Sequence, residues 1–341
     1  MADMDKKYRG VVIGCGRIGA TFDIDSGLVK PASHAAALQQ NPRTELVGLV
    51  DPDPAQLKRA GEQYQVATYS DARECLEATK PDVVVIATPP ETHEALLALA
   101  LELRVPAVIC EKPVSDTVES AQRMLKAAAA SSSIVVLNHQ RRFFPLFREA
   151  RERIAGGELG RIQQVTGYYT NGILNNGSHL VDAIHFLLDD TAVWAMGVQN
   201  TLNTAAPFGP NVDGLVGFSK GAVAAVQSLD NNSYGAHELQ IFGTRGALLI
   251  RQYGFSFEYV PAKEGVTFVG AKELDWAHAE TKFESRSMVE ATLVHAIEVL
   301  DGQTKPQSTL EDGYKVMQVL GGLVLSAAAG GKKIVLEKSV H

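Results

Sequence analysis

Five short apolar runs limit what this chain can fold into: Val11–Ile13, Glu45–Val50, Asp82–Ala87, Ala107–Cys110 and Ile134–Leu137. They are β-branched and almost wholly apolar, as strands buried on both faces of a parallel sheet are. Ala/Leu/Glu-rich stretches such as Glu91–Arg104 and Ser115–Ala130 lie between them and read as helices. The alternation predicts an α/β domain of the doubly wound, Rossmann type. With 341 residues, a second domain is expected.

The pattern changes between residues 140 and 160. A helix over Phe144–Ala155 ends at Gly156-Gly157, Arg161–Thr170 alternates like a half-exposed strand, and Asn176–Leu188 reads as a helix. Strand-like segments follow at Val193–Asn200, Val212–Phe218, Ala222–Leu229, His237–Phe242 and Ala247–Ile250. This predicts an α+β domain built on a large, mostly antiparallel open sheet. Two helical patterns close the chain, Ser285–Leu300 and Leu310–Ala328, the second bounded by Ser308-Thr309 and Gly330-Gly331. The expected division is residues 1–140 for a dinucleotide-binding domain and 141–341 for a substrate-binding and oligomerisation domain. The final helix is expected to pack back near the first domain.

The formal net charge of -7, with no basic run, argues against a nucleic-acid partner. Cys15, Cys75 and Cys110 form neither a disulfide framework nor a zinc spacing, which suits a reducing, cytoplasmic setting. Met1–Lys7 is polar and lacks the apolar core of a signal peptide. The apolar stretch Val316–Gly330 is broken by Gln318, Gly321, Gly322 and Ser326, so no membrane association is expected.

Gly14-Cys15-Gly16-Arg17-Ile18-Gly19 follows the first strand with the spacing G-x-G-x-x-G. Such glycines permit a tight turn and close approach of a pyrophosphate, and the helix that follows offers its free N–H groups to the anion. Asp51 ends the second strand, where a carboxylate can bind the ribose hydroxyls of NAD. It could equally cap a helix whose first residue is Pro52. Its distance from Gly19 exceeds the usual spacing of about 20 residues, with Thr21–Pro31 as the apparent insertion. No Arg follows Asp51 directly, so NAD is favoured; NADP is the alternative, with Lys58 or Arg59 to meet a 2′-phosphate.

Thr88-Pro89 with His93, and Glu111-Lys112, follow later strands at carboxyl ends, where open α/β sheets bind ligands. A Lys beside a reacting alcohol can stabilise developing negative charge on its oxygen. In Asn175-Asn176-Gly177-Ser178-His179-Leu180-Val181-Asp182, helical spacing puts Asn175, His179 and Asp182 in a narrow arc. A His there can act as general base; the bland alternative is a satisfied, half-buried ring. His185 lies about 120° around the helix from His179, which disfavours a shared metal; no metal is expected.

Together these motifs resemble the Gfo/Idh/MocA oxidoreductases. The similarity rests on Gly14–Gly19, Thr88-Pro89 with His93, Glu111-Lys112-Pro113, Arg141-Arg142-Phe143, Gly157–Ile162, Gly177-x-His179-x-x-Asp182, Phe242-Gly243-Thr244-x-Gly246 and Glu311-Asp312-Gly313, in family order along nearly the whole chain. The resemblance implies Lys112 and His179 as the catalytic pair, a cis bond before Pro113, a sugar, cyclic polyol or sugar nucleotide as substrate, and a homodimer or homotetramer. Where the family often has D-x-G-x-H, this chain has Asn175, which can orient a His by hydrogen bonding but supplies no charge.

The expected activity is reversible oxidation of a secondary alcohol with NAD. Lys112, His179 and Asn175 would be catalytic, and Arg141, Asn171, Asp182 and Tyr234 candidates for the substrate pocket. The alternatives are a non-catalytic, nucleotide-binding sensor of the same fold, favoured by Asn175, and a methyltransferase, disfavoured by the glycine spacing.

Overall fold

The computed structural model describes residues 6–25, 27–202, 209–267 and 269–337; residues 1–5 of the polar start lie outside that range. The chain divides into two compact units, residues 1–143 with 286–314, and residues 144–285 with 315–341.

The first unit runs β1 (Tyr8–Ile13), α1 (Phe22–Asp25), α2 (His34–Gln40), β2 (Thr44–Val50), α3 (Pro54–Tyr64), β3 (Thr68–Tyr69), α4 (Ala72–Thr79), β4 (Val83–Ile86), α5 (His93–Glu102), β5 (Ala107–Cys110), α6 (Val118–Ala129) and β6 (Ile134–Leu137). The six strands form one parallel sheet in the order β3-β2-β1-β4-β5-β6. All five expected apolar runs are strands, and the central ones are fully buried because helices cover both faces. Side chains start the helices where the sequence turns: Ser33, Asp71 and Thr117 each accept a hydrogen bond from a first-turn amide. The insertion over Thr21–Pro31 holds the short helix α1 and closes on itself. The buried Asp23 carboxylate accepts the Ala32 amide at 2.9 Å and the Ser33 hydroxyl at 2.5 Å.

The second unit starts with α7 (Pro145–Ala155), β7 (Ile162–Tyr169) and α8 (Ser178–Leu188), then β8 (Ala192–Gln199), β9 (Val212–Phe218), β10 (Val223–Ser228), β11 (His237–Gly243), β12 (Gly246–Arg251), β13 (Ser256–Glu264), β14 (Lys272–Leu274) and β15 (Glu280–Phe283). The sheet order is β14-β13-β12-β11-β7-β10-β9-β8-β16, with β15 on β13 and β16 being Ile334–Val335. Only the β7–β10 pair is parallel. α8 lies on this sheet where Gly167 of β7 leaves room for Leu180; a Cβ on Gly167 would sit 2.6 Å from the leucine side chain.

The remaining helices are α9 (Met288–Leu300) and α10 (Leu310–Ala328). Residues 286–314 belong with the first unit, whereas the expected boundary assigned them to the second domain. The reason is apolar: Val289, Leu293, Ala296 and Ile297 of α9 share a buried core with Leu46, Ile109 and Val136. Tyr8 and Arg43 add polar anchors to Asp301 at 2.7 and 3.1 Å.

Candidate functional site

In the first unit, the loops at the carboxyl ends of the parallel strands gather the motif residues. β1 runs into Gly14, whose amide donates to Val50 O at 2.7 Å and whose φ is +98°. The turn admits no side chain at two of its glycines. A Cβ on Gly14 would meet Ala87 O at 2.5 Å, and one on Gly19 would meet Gly14 O at 1.8 Å. Gly16 differs, with nothing within 4 Å of its Cβ position. The loop is therefore packed on its inner side and open at Gly16, the form of cradle a pyrophosphate needs. The following turn, Arg17–Thr21, is π-helical and leads directly into α1. Ile18 packs on the core and Arg17 is exposed, its guanidinium 4.6 Å from the Phe22 ring centroid.

Asp51 ends β2 beside this loop and binds the protein backbone with both oxygens. Oδ2 accepts the Cys15 amide at 2.7 Å and Oδ1 the Asp53 amide at 2.9 Å. It does not cap the next helix; that role belongs to Asp53, with Pro54 as the first helical residue. The capping expectation was off by two residues because Asp51-Pro52 and Asp53-Pro54 carry the same local signal. Lys58, a candidate for a 2′-phosphate, is exposed and 4.0 Å from Glu62.

After β4, Thr88 is half-buried and its hydroxyl accepts from Thr92 at 2.6 Å, while Pro89 is exposed. His93 is fully buried, its ring nitrogens 2.9 Å from Thr88 O and 3.2 Å from Val114 O. Burial disfavours its charge, but Cys110 and the two carbonyls outweigh that and raise it to about 9. Expected as a cofactor contact, His93 instead ties the Thr88 loop to the Lys112 loop.

After β5, Glu111 is buried and Lys112 half-buried, and the Lys112–Pro113 bond is cis. Desolvation dominates at Lys112: despite the neighbouring Glu111, burial together with Arg141 lowers its amine from 10.5 to about 8. Glu111 accepts His34 Nε2 at 2.8 Å, the Asn138 amide at 2.5 Å and the Lys112 amide at 3.1 Å. These donors hold its carboxyl below the usual range although burial alone would raise it. Sequence reading found Glu111 but missed His34 and Asn138; no motif marks them, and a polar residue inside or next to an apolar run was the sole signal. Arg141 is buried in the short turn Gln140–Phe143 after β6. The neighbouring Arg142 pairs with Asp312 at 3.0 Å, joining two family-like motifs in one structural contact.

In the second unit, Asn171 (φ +67°) and Gly172 (φ +86°) turn the chain after β7 into a π-helical turn, Ile173–Gly177, which continues as α8. His179 and Asp182 lie one turn apart on α8, and both are buried. Asn175 lies on the wider π turn, so the even helical spacing that put all three in one arc does not extend to it. Its carbonyl accepts the Ser178 hydroxyl at 2.6 Å. Facing His179 edge-on is His237 of β11, with ring centroids 6.5 Å apart and planes at 79°. Sequence reading missed His237; only the sheet register brings it there. His185 is occupied structurally, with Nδ1 3.1 Å from Val181 O and Nε2 accepting the Ala192 amide at 3.4 Å. Tyr234 is 63% exposed, in the turn before β11. Among the described residues no group of three or more His, Cys, Asp or Glu could hold a metal ion, and no helix is long and apolar enough to cross a membrane.

Comparison with known proteins agrees with this fold. Residues 8–139 match the model of an oxidoreductase family with an NAD-binding Rossmann fold. The chain is 24% identical to D-apiose dehydrogenase of Paraburkholderia graminis over 95% of its own length and 89% of that protein's. It is 32% identical to inositol 2-dehydrogenase 4 of Saccharopolyspora erythraea, over 56% of this chain and 60% of the relative. Its fold matches that of the WlbA dehydrogenase from Bordetella pertussis, solved with NADH and UDP-GlcNAcA, at a TM-score of 0.77 and 21% identity, covering 98% of this chain and 100% of that one.

Proposed function

We propose that this chain, whose residues 8–139 match an oxidoreductase family with an NAD-binding Rossmann fold, is a Gfo/Idh/MocA-type oxidoreductase that interconverts a secondary alcohol and a ketone on a sugar, a cyclic polyol or a sugar nucleotide. The observation that carries this reading is the carboxyl edge of the parallel sheet. The open glycine turn, Asp51, Thr88 and the lowered amine of Lys112 all follow strands that end there. Bound at that edge, NAD supplies the hydride acceptor. Gly14, Gly16, Arg17, Ile18 and Gly19 hold the diphosphate, Asp51 the adenosine ribose, and Thr88, Pro89 and Glu111 line the nicotinamide end. Lys112, as an ammonium, stabilises negative charge on the substrate oxygen. His179 takes the hydroxyl proton, and Asn175 orients it or the substrate. Arg141, Asn171, Asp182 and Tyr234 contribute to substrate recognition.

Thermal shift with NAD, NADH, NADP and NADPH, each repeated with sugars, inositols and sugar nucleotides, tests the reading, because a ligand that binds only the folded state raises Tm. The expected result is a shift with NAD or NADH that one substrate class enlarges, followed by turnover on that class. Cofactor binding without turnover across the panel would favour a sensor, and no cofactor shift would overturn the proposal.

We also propose a cytoplasmic homo-oligomer. Val198, Leu215 and Val335 are 64%, 40% and 76% exposed. The pairings Met196–Leu215 and Trp194–Val335 put them on one face of the sheet, and a contiguous apolar face is what subunit contacts cover. Light scattering after gel filtration checks this, with a monomer at micromolar concentration as the contrary outcome.

A further inference from the structure

Lys112 is the terminus of a buried polar chain whose remoter members, His34, Asn138 and Thr292, the reaction as outlined does not use. The chain starts on α9, where the Thr292 hydroxyl donates to Asn138 Oδ1 at 2.7 Å. That bond fixes which way the Asn138 amide faces, so its NH2 donates to Glu111 Oε1. The same oxygen takes the His34 Nε2 bond at 2.8 Å, and the other oxygen takes the Lys112 backbone amide at 3.1 Å. His34 and Thr292 are at most 1% exposed, Asn138 is 2% and Glu111 5% exposed. Apart from the bond between the neighbours Glu111 and Lys112, each link runs between different elements: α9, the end of β6, the end of β5 and α2. A carboxylate so placed needs donors, because water is not available to solvate it.

We propose that His34 is a positioning residue for Lys112: with Asn138 and Thr292 it keeps Glu111 an ionised carboxylate, which in turn keeps the adjacent Lys112 side chain an ammonium at neutral pH. This rests on the role given to Lys112 above. Among the charged groups acting on Lys112, Glu111 favours the ammonium, and Arg141 opposes it along with burial. His34 acts on Lys112 through Glu111. The buried His93, held between Thr88 O and Val114 O and raised to about 9, is a further titratable group at the same loop and keeps its identity in the variants below. Removing the His34 donor leaves Glu111 one bond short in an apolar setting. Its carboxyl then takes a proton more readily, and Lys112 loses its favourable neighbour.

The test reads Lys112 directly, in full-length protein and without a substrate. Competitive acylation with acetic anhydride across pH, followed by mass spectrometry of the Lys112 peptide, gives the titration midpoint of that amine. The wild-type midpoint is expected near 8. In His34→Leu it is expected to fall by about one unit, the scale of losing a nearby opposite charge. His34→Gln, whose amide can donate from a similar position, is expected to restore it. Thr292→Val, which removes the hydroxyl that orients Asn138, is expected to shift it the same way by less, and carries the test if His34→Leu fails to fold. An unchanged midpoint in His34→Leu or, should that variant not fold, in Thr292→Val would overturn the proposal. So would an equal fall in His34→Gln, since the donor would then not be the agent. Once a substrate is found, the alkaline limb of kcat/KM should move with the midpoint while the KM for NAD stays put. If the midpoints shift as stated but no substrate turns over, the network stands and the dehydrogenase reading falls.

Discussion

Lys112 is an expensive residue for this fold to keep. Its amine is lowered from 10.5 to about 8, so between those values the unfolded chain binds more protons than the folded one, and stability rises with pH across that window. Below pH 8 the full desolvation cost of the half-buried ammonium is present. Lys112→Met should therefore raise Tm at pH 7 by a few degrees in thermal melts, and the gain should shrink as pH rises from 8 towards 10.5. The same variant should lower kcat by about 10²–10³-fold, the scale for losing a charge that meets a developing oxyanion. If activity depends on the ammonium, kcat/KM should decline as pH passes about 8. Asp51 makes a second residue-scale case. It pins the Cys15 amide of the glycine turn as well as standing at the end of β2, so Asp51→Ser should weaken NAD about tenfold, the value of a hydrogen bond to a charged group. Discrimination against NADP should narrow, because the repulsion of a 2′-phosphate goes with the carboxylate; thermal-shift titration measures both.

At the scale of elements, the glycine turn separates what folding needs from what binding needs. Gly19→Ala would put a methyl 1.8 Å from Gly14 O, which is backbone and cannot step aside. The expected cost is roughly 1–3 kcal/mol or more, seen as a lower midpoint in urea. Gly16→Ala meets no protein atom within 4 Å; the unfolding midpoint should hold while NAD affinity falls at least tenfold by the same titration. Comparable unfolding midpoints in the two variants would mean that the turn is packed differently. Elements of the second unit were only partly legible. β7 to β12 stand where alternation and turn residues put them, but β13 to β16 were not expected. β13 contains Pro261 and charged Glu258, Lys263 and Glu264, a composition that reads as loop. It is a strand because β12 on one side and β14 and β15 on the other satisfy its backbone, a condition set by partners remote in sequence.

At the scale of the whole molecule, the first unit is not a contiguous stretch. Its core is completed by Val289, Leu293, Ala296 and Ile297 of α9, and Asp301 is tied to Tyr8 and Arg43. A fragment ending at residue 143 would expose the apolar surface that α9 covers. It should show no cooperative thermal transition by circular dichroism, whereas the same fragment with residues 286–314 attached by a flexible linker should regain one. A cooperative melt of the short fragment would show that α9 is dispensable.

The amino-acid sequence by itself determined the doubly wound sheet, the glycine turn and the presence of Lys112 at a strand end, because these depend on periodicity and on contacts between near neighbours. It also carried the resemblance to an oxidoreductase family, through motifs that are each local. Tertiary structure decided what surrounds them. His34 meets Glu111 across 77 residues and Thr292 meets Asn138 across 154, and His237 reaches His179 only through the register of β11 on β7. No local pattern encodes such pairs, since a buried polar group needs a partner of the right chemistry but not at any fixed distance along the chain. For the same reason His93, which looks like a ligand contact from its place after β4, is a buried brace between two loops.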